Sequence, residues 1–164
     1  MPYCKGETKK APDGIMQLMI IEVEGEAQTR EYGERIGRLL VGGETVELVG
    51  DVGAGKTTFV KGLAKGLGID EDVQSPSFTI SRVYDARDDL QLAHYDFYRL
   101  NAAGIMKDEL TETMRDAQTV TVIEWADIVE GVLPKERLTI VFETPTESSR
   151  KLTLTGATAI LEKL

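Results

Sequence analysis

The sequence predicts an α/β protein, a three-layer fold with a mostly parallel central sheet. Three observations predict it. Short apolar runs of strand length alternate with stretches whose apolar residues recur at three- and four-residue steps, the pattern of strands feeding helices. A glycine-rich segment, Gly50-Asp51-Val52-Gly53-Ala54-Gly55-Lys56-Thr57, joins one such strand to one such helix. Acidic residues stand directly after two further strand runs, where open parallel sheets bind their ligands.

Residues 1–14 are polar, carry Pro2 and Pro12, and show no apolar period. The expectation is a flexible N-terminal tail over residues 1–18 and a single domain over 19–164. Residues 19–23, Met-Ile-Ile-Glu-Val, read as a short strand. Thr29, Tyr32, Ile36, Leu39 and Leu40 then make one helix face, stopped by Gly42 and Gly43. Residues 45–49 are a compact strand that enters the glycine segment. Beyond it, Phe59, Val60, Leu63, Ala64 and Leu67 form a second helical stripe ended by Gly68. Residues 78–84 and 90–95 read as a strand pair around the polar turn 85–89. Residues 101–117 read as acidic helix and loop, and 119–123 as the most strand-like run of the chain. Residues 138–142 and 152–154 supply two last strands, and 157–164 a terminal helix.

A chain of 164 residues with a hydrophobic fraction of 41% suits one properly cored domain. Its apolar runs are too short for a membrane span, so no membrane partner is expected. The net charge of -9, from 19 basic and 28 acidic residues, argues against independent gripping of nucleic acid, which depends on clustered Lys and Arg. Work on RNA through a partner stays open. The one cysteine, Cys4, forms no internal disulfide and builds no metal site alone. With no signal-peptide pattern at the start, the expected location is the reducing cytoplasm.

The glycine segment has the form G-x-x-x-x-G-K-[ST] between a strand and a helix, which makes the expected fold P-loop NTPase-like. Gly50, Gly53 and Gly55 let the backbone turn tightly and bring its N–H groups to phosphate oxygens. The helix opening at Lys56 adds unpaired N–H groups and the positive end of its dipole. Lys56 is expected on the β- and γ-phosphates, and Thr57 is expected to give its hydroxyl to magnesium.

A P-loop enzyme also needs a carboxylate near the metal. Asp96 follows the strand at 90–95 and Glu124 follows the strand at 119–123. Magnesium takes few protein ligands and keeps several waters, so one acid binds directly while the other orients water. The residue pattern leaves open which does which. His94, the sole histidine, is expected to pack or hydrogen-bond, and Trp125 to bury apolar surface. Ser75-Pro76-Ser77-Phe78-Thr79 re-enters the sheet at Pro76, and its hydroxyls either face a γ-phosphate or belong to an ordinary turn.

These motifs occur together in one order: Gly50 to Thr58, Ser75-Pro76-Ser77-Phe78-Thr79, His94-Tyr95-Asp96-Phe97-Tyr98-Arg99-Leu100, Glu124-Trp125 and Gly131-Val132-Leu133-Pro134. From about Ile20 to the C-terminus the chain resembles the TsaE family (also called YjeE) of bacterial tRNA threonylcarbamoyladenosine biosynthesis. The resemblance implies a cytoplasmic ATPase that uses ATP/ADP and Mg2+. It also implies work with TsaB and TsaD, which install the threonylcarbamoyl group, with ATP hydrolysis resetting the complex between turnovers. The tRNA is then held only indirectly, through those subunits, which suits an acidic chain. By position the resemblance implies nucleotide binding by Asp51, Val52, Gly53, Ala54, Gly55, Lys56, Thr57 and Thr58. It adds the stretch from Glu26 to Thr29 near the base, and Arg150. Thr57 and Glu124 become the metal-side residues, with Asp96, Lys56 and Glu124 serving hydrolysis.

Two other readings compete. A small-molecule P-loop kinase needs an acceptor pocket and an arginine-bearing lid, whereas Arg82, Arg87, Arg99 and Arg115 are scattered. A guanine-nucleotide switch needs an N-K-x-D base-reading motif, which the sequence lacks.

Overall fold

The computed structural model describes residues 7–10 and 17–164. Strands β1 (Glu7–Lys10) and β2 (Gln17–Glu24) lead into helix α1 (Gly25–Leu39). Then come β3 (Thr45–Val49), α2 (Lys56–Gly66), β4 (Ser81–Asp85) and β5 (Gln91–Asp96). Helix α3 (Met106–Arg115), β6 (Thr119–Glu124), β7 (Leu138–Glu143), β8 (Ser149–Thr155) and the single turn α4 (Thr158–Leu161) complete the chain.

The strands of the described residues join one eight-stranded sheet in the order β1-β2-β8-β7-β3-β6-β5-β4. The centre, β7-β3-β6-β5, is parallel as expected, and both margins are antiparallel. Short connections impose those margins, because β4–β5 and β7–β8 are hairpins and a parallel pair needs a long crossover.

Alternation along β5 and β6 sends side chains to two apolar clusters. Leu92, Val120 and Val122 join the cluster under α1 and α2, while Ala93, Tyr95 and Ile123 join the one that includes Leu110 of α3. Strand β3 is buried at four of its five positions, which places the start of the glycine loop on a well-covered central strand.

Helices α1 and α2 meet backbone to backbone. A Cβ at Gly33 or Gly37 would fall within 3.0 Å of α2 carbonyls, and one at Gly62 or Gly66 within 3.0 Å of α1 carbonyls. The two glycine pairs, each four residues apart, share one helix face and so make a continuous seam. This seam fixes α2, the helix that begins at the P-loop, to α1.

Several expectations need adjustment. The expected tail contains β1, which pairs antiparallel with β2, and the boundary at residue 18 falls inside β2. An open sheet edge offers backbone hydrogen bonds to any extended segment, including the polar Glu7-Thr8-Lys9-Lys10, which has no apolar alternation to announce it. The rest of that tail, with Cys4, lies outside the described residues. The strand expected from residue 78 starts at Ser81, because the Pro76 carbonyl accepts the N–H groups of Thr79 and Ile80 in a turn. The terminal helix expected over 157–164 is the single turn of α4, which buries Ile160 and Leu161.

Candidate nucleotide site

A cavity of about 580 Å³ opens at the carboxyl ends of β3, β5 and β6. Its lining includes the whole loop from Asp51 to Thr58, along with Glu26, Asp96, Glu124 and Arg150. The structure therefore gathers the loop residues Asp51 to Thr58, Glu26, Thr29, Asp96, Glu124 and Arg150 around one space, while Gly50, Ala27 and Gln28 of the marked segments lie outside its lining. Ser75 and Ser77 line it too, whereas Thr79 does not.

The loop is shaped by glycine at the turns that need it. Gly53 and Gly55 take φ of 80° and 104°, left-handed values that favour glycine. Gly55 caps the start of α2, so the unpaired N–H groups of that helix face the cavity mouth. Lys56 is 6% exposed, and its ammonium donates to the carbonyls of Gly50 and, at 3.1 Å, of Asp51. The same nitrogen sits 4.4 Å from the centre of the Trp125 ring. Burial pushes the Lys56 pKa down, and the charges of Glu124, Asp96 and Asp51 oppose that shift.

The acids are set by strand register. Asp96 ends β5, Glu124 ends β6, and the two are direct partners across the parallel pair. Both are buried, at 4% and 3% exposure. Asp96 accepts the Ser75 hydroxyl on Oδ2 at 3.0 Å and the Tyr98 N–H on Oδ1 at 2.9 Å. His94 Nε2 lies 2.8 Å from Glu124 Oε1, and an ionised carboxylate makes the ring N–H the donor. The other ring nitrogen is buried without a partner among the described residues, so the imidazole spends its hydrogen bonding on Glu124. His94 is thus a hydrogen-bonding residue, as expected.

Trp125 does more than the burial expected of it. It takes a left-handed backbone, φ 56° and ψ 51°, which is strained for a residue with a large side chain. That turn lays the half-buried indole against both Lys56 and the Tyr98 ring, whose centre is 4.8 Å away.

The donor set fits a magnesium nucleotide. One ammonium, one loop of N–H groups, the Thr57 hydroxyl and the paired carboxylates of Asp96 and Glu124 are among the groups that surround a single space. Among the described residues no three His, Cys, Asp or Glu side chains gather to hold a metal unaided. Magnesium suits such a site, since it uses one or two carboxylates and completes its shell with phosphate oxygens and water.

The sequence did not single out Gly25, Glu147 or Ser148, which also line the cavity. They come from the start of α1 and from the β7–β8 hairpin, brought together because β2 pairs with β8. A turn signal was readable at Thr144-Pro145-Thr146, but its place beside the glycine loop depends on the pairing of β7 with β3.

Comparison with known proteins agrees with this arrangement. Residues 23–152 match the family model described as threonylcarbamoyl adenosine biosynthesis protein TsaE. A protein of Treponema pallidum named tRNA threonylcarbamoyladenosine biosynthesis protein TsaE is 41% identical over 126 residues, covering 77% of this chain and 92% of its own. The protein of that name in Bacillus subtilis is 44% identical over 118 residues, with 70% of each chain covered. The crystal structure of Bacillus subtilis YdiB superposes with a TM-score of 0.76 at 31% identity, covering 91% of this chain and 95% of that one.

Proposed function

The chain belongs to the TsaE family of threonylcarbamoyl adenosine biosynthesis proteins, and we propose that it is that machinery's ATP-binding and ATP-hydrolysing subunit. The observation that carries this reading is the P-loop between β3 and α2 opening onto the same cavity as Asp96 and Glu124.

The loop N–H groups and Lys56 bind the β- and γ-phosphates, for which Lys56 exchanges its present carbonyl partners. Thr57 and Glu124 are the residues that would hold Mg2+, with His94 keeping the Glu124 carboxylate oriented. The metal supplies neutralisation of charge on the phosphate oxygens. Asp96, fixed by Ser75 and by the Tyr98 N–H, orients the attacking water and receives its proton.

Partners complete the site. Phe78 is 83% exposed and Tyr98 54% exposed, and both adjoin residues that line the cavity mouth. Large apolar side chains held out to water beside a catalytic acid suit a docking protein. TsaB and TsaD are the partners proposed, and they hold the tRNA while hydrolysis here resets the complex. The place of action is the cytoplasm. Among the described residues no helix is long and apolar enough to cross a membrane.

The test is the ATPase rate of the purified chain alone and with TsaB and TsaD, with ADP retention followed alongside. The reading predicts slow turnover alone and marked stimulation by the pair. Full-rate hydrolysis by the isolated chain, or stoichiometric phosphoryl transfer to a small acceptor, would contradict it.

A further inference from the structure

Arg150, the second residue of β8, reaches from the β7–β8 hairpin to the P-loop. Its Nε donates to the Ala54 carbonyl at 3.0 Å. Its Nη1 faces three carbonyls of its own hairpin, those of Ser149 at 2.8 Å, Glu147 at 3.0 Å and Thr146 at 3.4 Å. The hairpin is itself tied down, since the Ser148 carbonyl accepts the Gly25 N–H at 2.7 Å and Thr146 Oγ1 accepts the Ser149 N–H at 3.0 Å. One guanidinium therefore links the P-loop to the segment that is stitched to the start of α1.

The grip falls where the loop backbone has least preference of its own. Ala54 is 3% exposed and stands between Gly53 and Gly55, the two left-handed glycines. Glycine rotates freely, so the peptide planes beside it need an external hold to keep one direction. In a trans peptide the N–H points opposite to the C=O, so fixing the Ala54 carbonyl also fixes the Gly55 N–H. That N–H belongs to the set the loop offers to phosphate.

We infer that Arg150 is a positioning residue that binds the P-loop backbone rather than the nucleotide, and so keeps the loop in its phosphate-receiving shape. This rests on the nucleotide reading above. The planar guanidinium spans carbonyls on both sides, whereas a lysine ammonium keeps the charge and cannot span them.

The experiment compares Arg150→Lys and Arg150→Gln with the unaltered protein, by calorimetric binding of ATP and of inorganic tripolyphosphate. Melting temperature of the free proteins is measured in parallel. Both variants are expected to bind both ligands about tenfold more weakly, in equal measure, while remaining fully folded at the binding temperature despite the hydrogen bonds lost. A merely structural arginine would lower the melting temperature and leave the binding of folded protein unchanged, which overturns the inference. Full affinity in Arg150→Lys overturns it in favour of a direct charge contact with phosphate. Weakened ATP binding with tripolyphosphate unaffected overturns it in favour of a contact to the base or ribose. Should Arg150→Gln not fold, Arg150→Lys carries the comparison alone. An unaltered protein that binds neither ligand would instead overturn the nucleotide reading, and the inference with it.

Discussion

The helix that begins at the P-loop is packed backbone to backbone against α1, while the Asp96 carboxylate is fixed by two single hydrogen bonds. On the first side the Gly33, Gly37, Gly62 and Gly66 seam brings α1 and α2 so close that no Cβ fits between them. On the second side, Ser75 and the Tyr98 N–H each make one bond to Asp96, and Phe78 and Tyr98 stand out in solvent. A phosphate cradle works by being pre-shaped, so it gains from a wall that does not yield. A wall completed by a partner needs an accessible surface beside the catalytic group. In the proposed function, this difference makes the first wall the one that binds nucleotide and the second the one that controls turnover.

The largest effect expected from breaking this division comes from the first wall. Lys56→Ala removes the one ammonium aimed into the loop and should weaken ATP binding at least about 100-fold by calorimetry. Near-normal binding would take the affinity out of the P-loop wall altogether.

The glycine seam gives the next effect, with an inverted sign. Gly→Ala within a helix ordinarily gains about 0.5–1 kcal/mol. Gly62→Ala should instead cost about 1–3 kcal/mol by urea denaturation, because its Cβ would meet the Arg30 carbonyl. Gly131, whose Cβ meets nothing within 4 Å, is the control, and its change to Ala should stay within about 0.5 kcal/mol. Equal responses at the two sites would remove the argument for a rigid wall.

A smaller effect follows from the buried lysine. Burial depresses the Lys56 pKa, so the folded chain holds that proton less tightly than the unfolded one. Keeping Lys56 charged therefore costs stability below the folded pKa, and the cost vanishes once pH passes the unfolded lysine value. Phosphate beside the ammonium reverses the preference. ATP affinity should thus decline as pH rises toward the lysine range, starting below the usual lysine value, with protons taken up on binding. Calorimetry in two buffers of different ionisation enthalpy checks this, and binding without proton uptake across that window would contradict it.

The P-loop of the first wall was legible in the sequence, its glycine seam was not, and the second wall was legible only in part. The P-loop is continuous in the chain, so residues 50–57 announce strand, turn and helix together. Asp96 and Glu124 were recognisable as strand-end acids, but their direct pairing needed the β5–β6 register, which no local pattern states. Trp125 was taken for core because its left-handed backbone, which turns the ring onto Lys56, leaves no mark in composition. The hairpin residues Glu147 and Ser148 reach the cavity through the pairing of β7 with β3 and of β8 with β2, strands remote in the chain. Edge strand β1 escaped notice because backbone pairing with β2 requires no apolar pattern in the segment Glu7-Thr8-Lys9-Lys10.

The division between the walls is tested most directly by Asp96→Ala, with ATP affinity and partner-stimulated turnover measured on the same preparation. The account predicts affinity within about threefold of the unaltered protein, and turnover lower by at least about 100-fold, in the range seen on losing a general base. Equal loss of affinity and turnover would place Asp96 in the binding wall and contradict the account.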